Sequence, residues 1–137
     1  MADTIELEVV TPERQVVKES VTEAQIPAKD GYIGVLPGHA PLLSLLGSGV
    51  LSYVPQSSAR KVLAIHGGFV EVLDDHVRVL ANLAERAEEI DLEKARVAFK
   101  QAVERLTVHD QAGATDPAVA LSESELARAR VDAAELR

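Results

Sequence analysis

Glycine, proline and one histidine crowd the stretch GYIGVLPGHAPLLSLLGSG, which runs from residue 31 to residue 49. Loops of this composition can bind a phosphate through backbone N–H groups, and a histidine within them can transfer protons. This stretch has neither the G-x-G-x-x-G spacing nor the Gly-Lys pair of a phosphate-binding loop. We therefore predict a compact loop in which glycine and proline set the backbone, not a catalytic phosphate site.

Other chemically active side chains are scattered along the chain. The histidines lack the i, i+4 spacing and the carboxylate companions of a metal site, and no serine lies in a G-x-S-x-G elbow. A hairpin turn explains Asp74 and Asp75 better than a catalytic pair does, because adjacent strand residues point to opposite faces. We expect no catalytic residue and no metal site, so the chain is not predicted to be an enzyme. The four histidines are His39, His66, His76 and His109.

Composition excludes several further classes of protein. The chain has 137 residues, a net charge of -8, two Tyr, two Phe, and no Trp or Cys. Negative charge and few aromatic residues argue against nucleic-acid partners, and the lack of cysteine excludes disulfides and thiolate zinc sites. The apolar runs are too short for a spanning helix of about 20 residues, and the first residues show no signal-peptide or transit-peptide pattern. We expect one domain, with or without an appendage, that acts where it is made.

Two periodicities divide the chain. From residue 5 to about residue 83, apolar residues alternate with polar ones, which predicts antiparallel strands packed as a sandwich or a barrel. A short strand over residues 21–26 is expected to end at Pro27, and His66, Gly67 and Gly68 are expected to form a bulge or tight bend. Turns are predicted at residues 12–14, 55–58 and 74–75.

From residue 91 onward the spacing changes to three and four, which predicts helices. Asp91 is placed to cap the first helix. The second helix begins either at Asp116-Pro117 or at Ser122, which forms a capping box with Glu125. We predict an antiparallel hairpin, joined by a polar loop with Gly113, whose alanine-rich seam is weak enough for it to detach or to need a partner. The two stripes are Leu92, Ala95, Phe99, Ala102 and Leu106, and Leu126, Ala129, Ala133 and Leu136.

Two motifs, GVLPGHAPL at residues 34–42 and GGFVEV at residues 67–72, resemble the epsilon subunit of the F-type rotary ATP synthase. Thr11-Pro12-Glu13 and the predicted C-terminal helices also match the pattern of that family. The resemblance implies an α+β fold: an antiparallel β-sandwich of about ten short strands over residues 1–85, followed by a regulatory two-helix hairpin over residues 86–137. It also implies a noncatalytic subunit of the central stalk that couples rotation to ATP synthesis.

The resemblance further implies that the sandwich docks on the gamma subunit and on the polar loops of the c-ring. Asp30 would lie opposite basic loops and orient docking more than it adds affinity. His39 either touches a partner or braces Asp30 and its turn. The implied docking residues are Asp30, Gly31, Gly34, Leu36, Pro37, Gly38, His39, Ala40, Pro41 and Leu42, and the implied structural motif is Gly67, Gly68, Phe69 and Glu71.

In many members of that family the hairpin extends toward the catalytic alpha and beta subunits and inhibits ATP hydrolysis, and some members bind ATP when it is folded. Here the corresponding motif has Lys94 in place of arginine, which removes a bidentate fork. On the second helix Arg128 is followed one turn later by Asp132, whose charge repels phosphates. We predict weak ATP binding or none, hence no cofactor. The implied ATP residues are Ile90, Asp91, Lys94, Ala95 and Arg128.

The resemblance places the protein at the cytoplasmic face of a bacterial inner membrane, as a peripheral subunit with no spanning segment. One alternative stays open at this point. A β-sandwich without a synthase would be a free-standing domain that binds a small ligand.

Overall fold

Seven strands precede two helices in the computed structural model, which describes residues 3–107 and 116–137. The α+β fold class is therefore confirmed. The strands are β1 Ile5–Val10, β2 Gln15–Ala28, β3 Gly31–Val35, β4 Leu42–Leu45, β5 Ser48–Pro55, β6 Lys61–Leu73 and β7 His76–Arg86. A 3-10 turn, Ala87–Glu89, leads to the helices α1 Leu92–Thr107 and α2 Pro117–Leu136.

Three long strands, β2, β6 and β7, belong to both layers of the sandwich. β2 pairs with β1 as far as Val21 and with β5 and β3 beyond it. β6 pairs with β5 in its first half and with β4 in its second, while β7 follows β6 along its whole length. One layer is thus β4, β6, β7, β1 and β2, and the other is β3, β2, β5, β6 and β7.

Continuous strands explain two differences from the sequence predictions. The described residues form seven strands, several of them long, and not about ten short ones. The strand expected over residues 21–26 is part of β2 and does not end at Pro27. The Pro27 carbonyl points away from β3 and accepts the Gly47 N–H at 2.9 Å. Because the nitrogen of a strand residue lies on the same side as its carbonyl, no hydrogen bond to β3 is lost when that nitrogen carries no hydrogen, and proline is tolerated.

Gly67 and Gly68 form a bend within β6, where that strand changes partner. The pairing of β6 with β7 omits Gly67, but the register is the same on both sides of it, from Leu63 opposite Arg86 to Leu73 opposite His76. No extra residue is inserted, so the feature is a bend and not a bulge. Gly68 has φ +109, and a Cβ there would lie 2.0 Å from the Leu80 carbonyl oxygen. Only glycine allows the two strands to approach so closely.

The predicted turns are present at both ends of the sandwich. Asp74 and Asp75 have φ values of 50 and 60, as a tight two-residue hairpin requires. The turn after Pro55 joins β5 to β6, with Tyr53 opposite Lys61. Between the layers the inward side chains of the alternating strands form one core, which includes Ile5, Leu7, Val9, Val21, Ile26, Leu51, Leu63, Ile65, Val70 and Val79.

The helices begin at aspartate caps. Asp91 Oδ1 accepts the Lys94 N–H at 3.2 Å, and Asp116 Oδ1 accepts the Ala118 N–H at 2.9 Å, with Pro117 in the first turn. Of the two predicted starts of the second helix, Asp116 is correct and Ser122 is wrong. Ser122 lies inside α2 because the Asp116 cap and Pro117 start the helix earlier. Its hydroxyl shares a 3.1 Å hydrogen bond with His66 Nε2 of the sandwich. The predicted positions of His109 and Gly113 lie outside the described residues.

The hairpin packs on the sandwich mainly through α2, which lies against β5 and β6 while α1 lies against α2. The shared apolar cluster is composed largely of alanine and valine, including Val62, Ala64, Ala129, Val131 and Ala133. Leu106 and Leu136, which belong to the predicted stripes, are exposed. Such small side chains bury little area, so each stabilises the packing less than a leucine would. None of the described helices is long and apolar enough to cross a membrane.

The bend gives a direct test of the fold. Gly68→Ala is expected to lower the free energy of unfolding by about 2–4 kcal/mol, because a Cβ meets backbone at a positive φ. Urea denaturation measures the change. Gly34→Ala is the matched control, since a Cβ there meets nothing within 4 Å and should change stability by about 0.5 kcal/mol or less. Equal losses in the two variants would contradict the role of Gly68.

Candidate functional site

Five large apolar side chains lie exposed on the outer face of β4, β6 and β7, and we call them the outer apolar patch. Strand register places them together: Leu45 is opposite Phe69, which is itself opposite Leu80. Leu43 lies two residues before Leu45 on β4, at 71% exposure, and Phe69 is 51% exposed. The members of the patch are Leu43, Leu45, Phe69, Leu73 and Leu80.

The patch exists because these strands are apolar on both faces. Val70 and Val72 point into the core, so their neighbours Phe69 and Leu73 must point outward. Glu71 and Arg78, opposite each other, provide the charged residues among the leucines. A contiguous exposed apolar surface with charged neighbours is typical of a protein interaction site. The signal in the sequence is the adjacency of two apolar residues within one strand, which does not by itself show that one of them is exposed.

The loop of residues 36–41 is tied to the turn between β6 and β7, close to Leu73. The Gly38 N–H donates to Asp75 Oδ1 at 2.7 Å, and the His39 N–H donates to the Leu36 carbonyl at 3.2 Å. His39 Nδ1 lies 2.6 Å from the Ala40 carbonyl oxygen. The loop is therefore ordered by backbone groups and by Asp75. It lies beside one end of the outer apolar patch.

Asp30 lies at the other end of the same strands. It is exposed in the turn between β2 and β3, where the Lys29 N–H donates to the Leu45 carbonyl at 2.9 Å. Strand β3 separates this turn from the loop of His39, and its five residues span roughly 13 Å. Of the two roles expected for His39, bracing Asp30 is wrong, because the two residues lie at opposite ends of β3.

The other predicted docking residues follow the same strand edge. Gly31 and Gly34 lie on β3, while Leu36, Pro37, Gly38, Ala40 and Pro41 form the loop and Leu42 begins β4. Leu36 is exposed, whereas Leu42 is only partly exposed and packs on the core. The four residues of the predicted structural motif lie in two different environments. Gly67 and Gly68 form the bend, but Phe69 and Glu71 are exposed on the outer face.

The residues expected to bind ATP do not form one cluster. Ile90 and Ala95 are buried in the seam of the hairpin, and Asp91 caps α1. Arg96 pairs with Glu135 at 3.3 Å, which places Lys94 near the end of α2. Arg128 lies seven residues before Glu135, about 10 Å back along the helix, and faces Asp132 at 3.7 Å.

Among the described residues, no group of three or more His, Cys, Asp or Glu side chains is arranged to hold a metal ion. His66 is engaged on both ring nitrogens, with Ser48 Oγ at Nδ1 and Ser122 Oγ at Nε2. It joins β5, β6 and α2, which is a structural role that the sequence did not reveal.

Comparisons with known proteins agree with this architecture. The profile of the family described as "ATP synthase, Delta/Epsilon chain, beta-sandwich domain" matches residues 4–87. The ATP synthase epsilon chain of Solibacter usitatus is 54% identical over 135 residues, which are 98% of this chain and 98% of that protein. The ATP synthase epsilon chain of Koribacter versatilis is 52% identical over 106 residues, which are 77% of this chain and 74% of that protein.

Two solved structures are also similar. A chain in the OSCP/F1/c-ring structure of the Euglena gracilis mitochondrial ATP synthase has a TM-score of 0.82 at 26% identity, covering 98% of this chain and 83% of that chain. A chain in the central stalk/c-ring structure of the Tetrahymena thermophila mitochondrial ATP synthase has a TM-score of 0.62 at 14% identity, covering 94% of this chain and 95% of that one. The second likeness concerns the fold alone.

The spread of the expected ATP residues leads to a prediction. Titration of the whole chain with ATP should give no saturable heat at submillimolar concentrations, because Lys94 and Arg128 lie apart and Asp132 pairs with Arg128. Asp132→Asn should bind ATP more tightly than the unaltered chain, since it removes a carboxylate that repels phosphate. Submillimolar binding by the unaltered chain would contradict the prediction.

Proposed function

We propose how this chain, which belongs to the epsilon chain family of the ATP synthase, docks in the central stalk of that complex. As a member of the family it is a noncatalytic subunit that couples rotation to ATP synthesis. The outer apolar patch binds the gamma subunit, and the Asp30 end of the β3 edge faces the polar loops of the c-ring. The observation that carries the proposal is the patch itself.

The patch has the properties that a stable protein interface requires. Its five side chains are contributed by three neighbouring strands, so they are held in place by backbone hydrogen bonds and need little ordering on binding. Phe69 lies at the centre, between Leu45 and Leu80, where a large ring fills a partner's pocket most effectively. Glu71 and Arg78 supply polar contacts that orient the partner.

The c-ring contact rests on charge. Asp30 is exposed at a turn whose position is held by the Lys29 and Leu45 backbone. An exposed carboxylate on a rigid turn attracts a basic loop over several ångströms and steers docking, although each exposed ion pair adds only about 0–1 kcal/mol. Gamma and the ring would thus contact neighbouring parts of one sandwich edge.

The hairpin acts as the regulatory element in this proposal. It extends toward the alpha and beta subunits and inhibits ATP hydrolysis, and its attachment to the sandwich supports such a movement. Small residues form most of its apolar seam. The ion pairs Arg96–Glu135 and Arg105–Glu123 are exposed to solvent, so they stabilise its position only slightly. Little free energy is therefore needed to separate the hairpin from the sandwich.

The subunit would act at the cytoplasmic face of the bacterial inner membrane, attached through the ring and gamma. The alternative of a free-standing ligand-binding sandwich is not favoured. The chain aligns with an epsilon chain along 98% of its length, and its outer face exposes five large apolar side chains, as a docking surface would.

A substitution in the patch tests the gamma contact. Phe69→Ser should weaken binding to purified gamma about 30-fold or more, because truncating a central aromatic anchor costs about 2 kcal/mol or more. Copurification and surface plasmon resonance measure the change. Val97→Ser, on the exposed face of α1, is the control and should bind normally. Normal binding by Phe69→Ser would place the gamma contact elsewhere.

Removal of the hairpin tests the regulatory part. Deleting residues 88–137 should raise the ATP hydrolysis rate of the reconstituted synthase, because no segment remains to reach the catalytic subunits. The truncated chain must still copurify with gamma, since the patch lies wholly in the sandwich. An unchanged hydrolysis rate with normal copurification would refute inhibition by the hairpin and leave the docking proposal intact.

A further inference from the structure

Three polar side chains of α2 bond to groups outside the two helices, and we call them the polar row of α2. They are spaced eight and seven residues apart, so about 12 Å and 10 Å separate them along the helix axis. The first contacts β6, the second contacts the end of β7, and the third contacts the segment between β7 and α1. The members of the row are Ser122, Arg130 and Arg137.

Arg130 makes the middle contact, which is the most shielded ion pair among the described residues. Its Nε lies 2.8 Å from Glu85 Oε1, and its Nη2 donates to Glu85 Oε2 at 3.3 Å, so the guanidinium meets both carboxylate oxygens. Both side chains are 31% exposed, whereas those of the ion pairs between α1 and α2 are 48–53% exposed. Because water screens it less, this pair holds α2 more strongly than an exposed pair would.

The other two contacts lie toward the ends of α2. Near its start, Ser122 Oγ lies 3.1 Å from His66 Nε2 of β6. At its end, Arg137 Nη1 donates to the carbonyls of Ala87 and Ile90, at 3.0 and 2.8 Å. Those two carbonyls belong to the segment that leads from β7 into α1. The third contact therefore fixes the end of the hairpin at the place where the hairpin begins.

The attachment of the hairpin depends on α2. This helix packs on β5, β6 and the 3-10 turn, whereas α1 packs mainly on α2. The apolar cluster between α2 and the sandwich consists largely of alanine and valine, whose burial stabilises less than that of larger side chains. Directional polar contacts therefore account for a larger share of the free energy that holds α2 than they would beneath a leucine-rich helix.

We propose that the polar row of α2 is a latch, a set of contacts that determines how often the hairpin leaves the sandwich, and that Arg130–Glu85 is its main contact. His66 and Glu85 belong to strands of the sandwich, so release of α2 must break their bonds to it. Loss of one bond shifts the equilibrium toward the released form and leaves the sandwich core intact. The latch rests on the proposed function only in its consequence, which is stronger inhibition of ATP hydrolysis when the hairpin is released more often.

Arg128 shows what distinguishes a member of the row from other arginines of α2. Its side chain is 72% exposed and lies 3.7 Å from Asp132, one turn along the same helix. That ion pair moves with α2, so it is the same whether the helix is docked or released. Arg128 and Arg130 are thus two residues of one type, on one helix, of which only Arg130 bonds to the sandwich.

Amide hydrogen exchange of the whole chain, followed by mass spectrometry, tests the proposal. Arg130→Met keeps an apolar side chain of similar length and removes the charge. The amides of α2 should exchange about tenfold faster than in the unaltered chain, because a shielded charged contact is lost. The amides of β1 and β7 should exchange at unchanged rates, and Arg128→Met, the matched control, should leave α2 unchanged. Unchanged exchange in α2 of Arg130→Met, or equal acceleration in α2 and the strands, would overturn the proposal.

A second variant guards against a change of packing at residue 130. Glu85→Gln keeps the shape of the side chain and removes its charge, so it should also accelerate exchange in α2. Combining it with Arg130→Met should add little further acceleration, because both substitutions break the same contact. Fully additive effects would show that the two residues act independently, and would refute Arg130–Glu85 as the main contact of the latch.

ATP hydrolysis by the reconstituted synthase separates the latch from the regulatory role of the hairpin. Arg130→Met should lower the hydrolysis rate, whereas Arg128→Met should not. Faster exchange in α2 with an unchanged hydrolysis rate would support the latch and refute inhibition by the hairpin. Unchanged exchange with a lowered hydrolysis rate would refute the latch and leave inhibition by the hairpin intact.

Discussion

The close approach of β6 to β7 at Gly68 is the constraint on which the rest of the structure depends. No side chain fits between Gly68 and the Leu80 carbonyl, so this close approach requires glycine at residue 68. Before the bend, β6 buries both faces, with Leu63 and Ile65 in the core and Val62 and Ala64 under the hairpin. Beyond it, one face of β6 stays in the core and the other is exposed.

This division gives one strand two functions. Its first half supports α2, and His66, just before the bend, is bonded to Ser122 of that helix. Its second half carries Phe69 and Leu73, which form much of the outer apolar patch. The surface proposed to bind gamma and the surface that holds the hairpin are thus adjacent parts of one strand. A change at the bend would disturb both.

The two parts of the chain differ in how strongly they are held. The sandwich core consists of Ile, Leu and Val side chains between hydrogen-bonded layers, and each stabilises the fold by about 1.5–3 kcal/mol when fully buried. The hairpin is held by alanine and valine and by exposed ion pairs. The hairpin, which we propose to be the movable regulatory element, is thus the more weakly held of the two parts.

The sequence by itself determined the features that depend on neighbouring residues: the alternation of the strands, the Asp74-Asp75 turn, the Asp91 cap, and the motifs that resemble the epsilon family. Only the tertiary structure decided between Asp116 and Ser122 as the start of α2, since both satisfy local capping rules; Asp116 caps the helix, and Ser122 instead contacts His66 of the sandwich. The outer position of Phe69 and the separation of Asp30 from His39 likewise depend on pairing between strands distant in sequence. Local pattern does not encode that register, because the same alternation is compatible with many pairings.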